Sequence, residues 1–185
     1  MRSLFAARAL VSFAAGLIVV FNQGQYVAVC LIALAVYGIG VSITQLPIAF
    51  FGKGSLSAIE SIPTSIIALT IGVLAALAQV QNPSAASAIR EFTWLATGWA
   101  LTSGAFELYL ARRAGLKSMS GRDFGILSGL SLLLGLVYLG AYLGISIDRT
   151  TSVGLFVAYL MFSAVHLGLA AASPKADVGK NPSAK

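Results

Sequence analysis

Residues 26–51 read YVAVCLIALAVYGIGVSITQLPIAFF, with no charged side chain anywhere in the run. About 20 apolar residues in helical form span the ~30 Å hydrocarbon core of a bilayer. This run is longer than that, and it leaves no polar face to meet water. Working outward from it, five further apolar segments lie at about 4–21, 62–80, 92–111, 124–143 and 151–172. The whole chain of 185 residues is 58% hydrophobic and 10% charged, with a mean hydropathy of +0.89. A soluble domain carries about 25% charged residues. The fold class expected is therefore an all-α integral membrane protein of six transmembrane helices. A single bundle over 1–172 fills the chain, and 173–185, rich in Pro and Lys without apolar periodicity, reads as a disordered basic tail.

Charge placement sets the expected orientation. In a six-span layout Arg2, Arg8, Lys53, Arg112, Arg113, Lys117, Arg122, Lys175, Lys180 and Lys185 fall on one side, and Arg90 and Arg149 on the other. The positive-inside rule then puts both termini in the cytoplasm of a cell (plasma) membrane protein. The same asymmetry accounts for the net charge of +6 without nucleic acid. Arg112, Arg113, Lys117 and Arg122 form a juxtamembrane cluster suited to anionic lipid. The first segment resembles a signal peptide, but Asn22-Gln23-Gly24-Gln25 offers no small-x-small cleavage site, so a retained helix is expected.

The segments group as three hairpins, about 4–51, 62–111 and 124–172, with internal similarity at a spacing near 60 residues. Odd segments carry a glycine inside an aliphatic run, at Gly16, Gly72 and Gly135. Even segments carry a polar residue followed by Leu and, three places later, Ala: Gln45, Glu107 and His166. An aromatic stands eight residues before two of them, Tyr37 and Trp99, and Tyr159 stands seven before the third. Small residues let membrane helices approach closely. Gly125 and Gly129, with Gly135, mark the fifth segment as the expected central helix. Pro63 falls in the expected first turn of the third segment, with Ser61 or Thr64 as cap, while Pro47 should kink the second.

Ionisable groups inside lipid are costly and mark a site by default. Gln45, Glu107 and His166 form the candidate intramembrane polar cluster, and Arg8 is a further candidate partner for Glu107. Two readings follow. One is an interhelical hydrogen-bond network that holds the hairpins in register. The other is a pathway for protons or a small solute, because a buried carboxylate beside an imidazole can pass protons. Glu60 and Glu91 flank expected helix starts, where negative charge complements the helix dipole.

Other chemistry has little to stand on. One cysteine, Cys30, excludes an intrachain disulfide, and one histidine with scattered carboxylates cannot supply a metal's ligand set. A Ser-His-Asp arrangement would need His166 beside Asp123, Asp148 or Asp177, which occupy loop or tail positions, and no nucleophile elbow, phosphate loop or dinucleotide fingerprint occurs. No catalytic residue, cofactor or metal is expected. The expected partners are the bilayer, and other membrane subunits or further copies of the chain.

Three glycine-containing hairpins with short external loops and a positive-inside layout resemble the HdeD-like acid-resistance membrane proteins of bacteria. The resemblance rests on 8–21, 35–49, 94–115 and 124–140. It implies a six-helix fold, a stress-related role and no catalytic chemistry; beside it, the polar network read as a register-holding element leads to the expectation of a small structural or accessory membrane protein.

Overall fold

The computed structural model describes residues 2–22, 26–51, 55–81, 85–145 and 147–173. Among these every regular element is helical: α1 (Arg2–Phe21), α2 (Tyr26–Phe51), α3 (Ser55–Gln81), α4 (Ala85–Ala114), α5 (Met119–Tyr142) and α6 (Arg149–Ala172). The tail expected over 173–185 lies outside the described residues beyond Ser173.

Five helices are long and apolar enough to cross a membrane; α4 is the exception. It has 30 residues, so its length suffices, but Thr93, Thr97, Thr102, Ser103 and Glu107 lower its hydropathy. Three of those hydroxyls turn back onto their own helix, where Thr93, Thr97 and Thr102 donate to the carbonyls of Ile89, Thr93 and Gly98. Such back-bonding satisfies the side chain inside the helix, so α4 is less polar to its surroundings than its composition states.

Helix limits extend beyond the apolar runs, since hydropathy reports side chains and not backbone hydrogen bonding. Thus α3 starts at Ser55, placing Pro63 in its interior instead of its first turn and Thr64 well past any capping position. Because α4 starts at Ala85, neither Glu60 nor Glu91 lies in a first turn, and the dipole argument for them lapses. Pro47 is likewise inside α2.

The closest helix pairs are α2 with α3 and α4 with α5, while α1 packs mainly on α6. Consecutive out-and-back partners, α1 with α2 and α5 with α6, touch less. Of the five apolar spans α2 is the most enclosed, with 61% of its window buried, against 39% for α5 and 22% for α3. Among these spans the enclosed helix is therefore α2, not α5. The reason lies in where the glycines meet backbone. A Cβ on Gly38 would come within 2.7 Å of the Gly72 Cα, and one on Gly72 within 2.7 Å of the Ile39 nitrogen. There α2 and α3 cross backbone to backbone. Between α4 and α5, a Cβ on Gly135 would meet Leu101 at 2.7 Å, and one on Gly104 would meet Leu132 at 2.9 Å. Gly16 faces the flexible end of Met161. Gly125 barely reaches Ala111, and Gly129 meets nothing within 4 Å.

Two loops are fixed by their chemistry. Gly115, at φ +84°, ends α4 in a left-handed conformation, and the Ser118 side chain caps α5 by accepting from the Gly121 amide at 3.0 Å. Asp148 caps α6, accepting from the amide of Thr151 at 3.2 Å and from its hydroxyl.

Gly72→Ala should cost about 1–3 kcal/mol in detergent unfolding, because the backbone of α2 must move to admit the methyl. Gly129→Ala, facing open space, should instead be neutral or stabilising by about 0.5–1 kcal/mol through helix propensity. Hydrogen bonds from Thr151, side chain first and then amide, hold the Asp148 carboxyl below its ordinary range. A carboxyl lowered on folding supports the fold above its unfolded pKa, and that support is lost as pH falls through the folded value. Amide exchange at Thr151 and Ser152 should therefore quicken only on acidification below the usual carboxylate range, and already at neutral pH in Asp148→Ala.

Candidate functional site

Two apolar clusters fill the bundle. The larger includes Ala15, Leu34, Phe92, Leu134 and Phe156. The smaller joins Leu4, Phe5, Leu110, Phe124, Leu127 and Leu167, with the Phe5 and Phe124 rings edge to face at 5.5 Å. Between them on α1, α4, α5 and α6 comes a run of buried polar residues: Arg8 and Ser12, Ser103 and Glu107, Ser128 and Ser131, and Ser163. The other two helices add Ser42, Gln45, Thr64 and Ser65. All six helices thus contribute polar groups to a layer that no helix shows as a continuous face.

At its centre Arg8 Nη2 donates to Glu107 Oε1 at 2.6 Å, and the two residues are 5% and 0% exposed. Of the partners open to Glu107, the one taken is Arg8. An ionised group near a helix centre costs on the order of 2.5–3.5 kcal/mol on insertion scales, and pairing lets each charge offset the other's burial. The second carboxylate oxygen, Oε2, accepts from Ser131 Oγ at 3.3 Å, and Ser131 lies 3.0 Å from the Tyr159 hydroxyl. A serine has one proton. With that proton on Glu107, the Tyr159 hydroxyl is the donor to Ser131. Tyr37 also lies within side-chain hydrogen-bonding reach of the guanidinium.

Gln45 is fully buried nearby: its Oε1 accepts from Thr64 Oγ1 at 2.8 Å. Thr64, Glu107, Arg8, Tyr37, Trp99 and Ser103 wall one small cavity, so Gln45 joins this centre through Thr64. His166 does not line it. Its Nε2 lies 3.6 Å from Asp123 Oδ1, an ion-pair distance too long for a hydrogen bond, and its ring stacks on Phe162 at 5.9 Å. It sits seven residues past Tyr159, about 10 Å further along α6. The α6 residue at the centre is therefore Tyr159.

What converges from α2, α4 and α6 is aromatic. Trp99 is edge to face with both Tyr37 and Tyr159, at 5.1 Å in each case. These are the three aromatics that precede Gln45, Glu107 and His166 in sequence. The offset of seven in place of eight on α6 was visible, and it turns Tyr159 onto the ion pair's network while His166 falls toward Asp123. Ser131 carried no signal, because serines are common along α5.

The arrangement can hold charge but encloses little space. The cavity measures about 10 Å³, which is at the threshold for one water molecule. No solute larger than water fits. Among the described residues no group of three His, Cys, Asp or Glu side chains is placed to hold a metal ion. Arg112, Arg113, Lys117 and Arg122 are all exposed around the α4–α5 turn, and the two arginines also complement the C-terminal dipole of α4.

No family model, curated protein or solved structure matches this chain.

Removing one member of a buried pair leaves the other charge without compensation, at about 3–5 kcal/mol. Glu107→Gln and Arg8→Met should each destabilise the bundle by that order in detergent unfolding. The double variant Arg8→Met with Glu107→Gln should recover most of the loss, and simple additivity of the single losses would show that the pair is not coupled. Tyr159→Phe should cost less, about 1 kcal/mol, since only a neutral hydrogen bond goes.

Proposed function

We propose that this chain is a small multi-pass membrane protein with a structural, accessory-subunit or envelope-stress role and no catalytic chemistry. The observation that carries the reading is the closed Arg8–Glu107 centre. The two charges pair with each other inside the protein, and the space beside them admits nothing larger than water. A lock of this kind joins α1 to α4 and, through Ser131 and Tyr159, to α5 and α6. The resemblance to HdeD-like proteins adds the stress-related role.

In this reading the six helices are three hairpin repeats, with both termini cytoplasmic in the cell membrane. The meeting of Tyr37, Trp99 and Tyr159 supports the repeat, since corresponding residues of the three even helices share one contact. The orientation rests on the positive-inside rule. Exposed Arg112, Arg113, Lys117 and Arg122 then lie at the cytoplasmic leaflet, where anionic lipid gathers.

One observation favours the proton-linked alternative. Arg8 Nε, Ser12 Oγ, Ser42 Oγ, Gln45 Nε2 and Ser163 Oγ are buried without a protein hydrogen-bond partner among the described residues. Buried polar atoms demand partners, and a thread of water through this layer would supply them.

Reconstitution separates the two readings. Vesicles bearing the purified protein should show no proton leak above that of empty vesicles. Mild extraction from native membranes should retain a stoichiometric partner or a homo-oligomer, and Glu107→Gln should lower the amount of protein recovered. A proton flux that Glu107→Gln abolishes at unchanged folded yield would replace the structural reading with the transport one.

A further inference from the structure

At the bundle end opposite Arg112 and Arg113, the α4 and α5 helices flank a second concavity, open to the outside. It is lined by Arg90, Glu91, Trp94 and Tyr142 and measures about 290 Å³. Arg90 and Arg112 are 22 residues apart on one helix, a rise of about 33 Å, which matches the ~30 Å hydrocarbon thickness. Since Arg112 and Arg113 leave the bundle at one interface, Arg90 and Glu91 emerge at the other. The aromatic pair agrees with that depth. Trp94 and Tyr142 pack ring on ring at 5.4 Å, each about half exposed, and such residues gather where headgroups meet acyl chains.

The charges in this concavity are the informative part. Arg90, Glu91 and Trp94 share one face of α4, at spacings of three and four residues. Neither Arg90 nor Glu91 has an ion-pair or hydrogen-bond partner among the described residues, and they do not pair with each other. One cation and one anion thus stand side by side, both open, beside two aromatic faces. A purely anionic ligand would meet Glu91 as repulsion, and a purely cationic one would meet Arg90 in the same way. A ligand carrying a phosphate and an ammonium satisfies both.

We propose that Arg90, Glu91, Trp94 and Tyr142 form a binding site for a phosphodiester joined to an ammonium, supplied by the headgroup of a zwitterionic phospholipid. The Arg90 guanidinium takes the phosphate, whose oxygens match its planar fork. The Glu91 carboxylate takes the ammonium, with the Trp94 and Tyr142 faces adding cation–π attraction. The volume suits a headgroup and not a whole lipid, the acyl chains remaining in the bilayer outside the concavity.

Native mass spectrometry of the full chain, offered equimolar phosphatidylethanolamine and phosphatidylglycerol, tests this. The wild type should retain phosphatidylethanolamine about fivefold over phosphatidylglycerol, the ratio expected of one exposed charge contact. Glu91→Gln should erase that preference, Arg90→Gln should lower retention of both lipids, and Arg112→Gln should leave the ratio unchanged. Soluble glycerophosphoethanolamine in the same assay separates the sources. Weak competition against the lipid assigns the ligand to the membrane, and binding as tight as the lipid's assigns it to a water-soluble zwitterion. A wild-type preference for phosphatidylglycerol, or a ratio that survives both Glu91→Gln and Arg90→Gln, would overturn the site. The two substitutions read different quantities, so a folding failure in one leaves the other decisive.

Discussion

A buried guanidinium tied to a buried carboxylate is the constraint around which this bundle is arranged. Lipid offers no water to compensate either charge, so Arg8 and Glu107 must meet, and their meeting fixes α1 against α4. Ser131 and Tyr159 continue the same demand onto α5 and α6, because a carboxylate has a second oxygen to satisfy and a serine one proton to give. Helix association without a hydrophobic drive depends on such directional terms and on close contact. Here the directional terms are concentrated in one polar layer between two apolar clusters.

Close contact is supplied elsewhere. The α2–α3 crossing brings Gly38 and Gly72 backbone to backbone, and the α4–α5 interface seats Leu101 and Leu132 against Gly135 and Gly104. Each of these pairs is joined by a short connection, and α1 closes the arrangement on α6. The ion pair and the glycine packing therefore act on different helix pairs, while the Ser131 and Thr64 hydrogen bonds share the glycine-packed pairs, and the Tyr37, Trp99 and Tyr159 contact lies where α2, α4 and α6 meet.

The two ends of the bundle differ in kind. One carries an exposed run of like charges around the α4–α5 turn, a field that acts on any anionic surface. The other presents Arg90 and Glu91 together beside a ring pair. A like-charge cluster reads net charge, whereas adjacent opposite charges read the internal arrangement of a headgroup. The span of α4 connects them, although its own composition falls short of a membrane segment by hydropathy.

Composition alone determined that the chain is helical and apolar, because long uncharged runs have no other stable use. It also determined that Glu107 must find a partner and that Arg8 was among those within reach. Glu107 is the lone carboxylate inside the apolar runs, so its need was legible without coordinates. The choice of Arg8 over His166 was not legible, since it depends on how far α6 rotates and slides against α4. A shift of one residue between aromatic and polar positions on α6 sends Tyr159 to the centre and His166 to Asp123. Nor could periodicity reveal that α2 and not α5 would be enclosed. Glycines in both are equally small, and only the crossing of two backbones decides which of them are filled against a neighbour and which, like Gly129, are left facing outward.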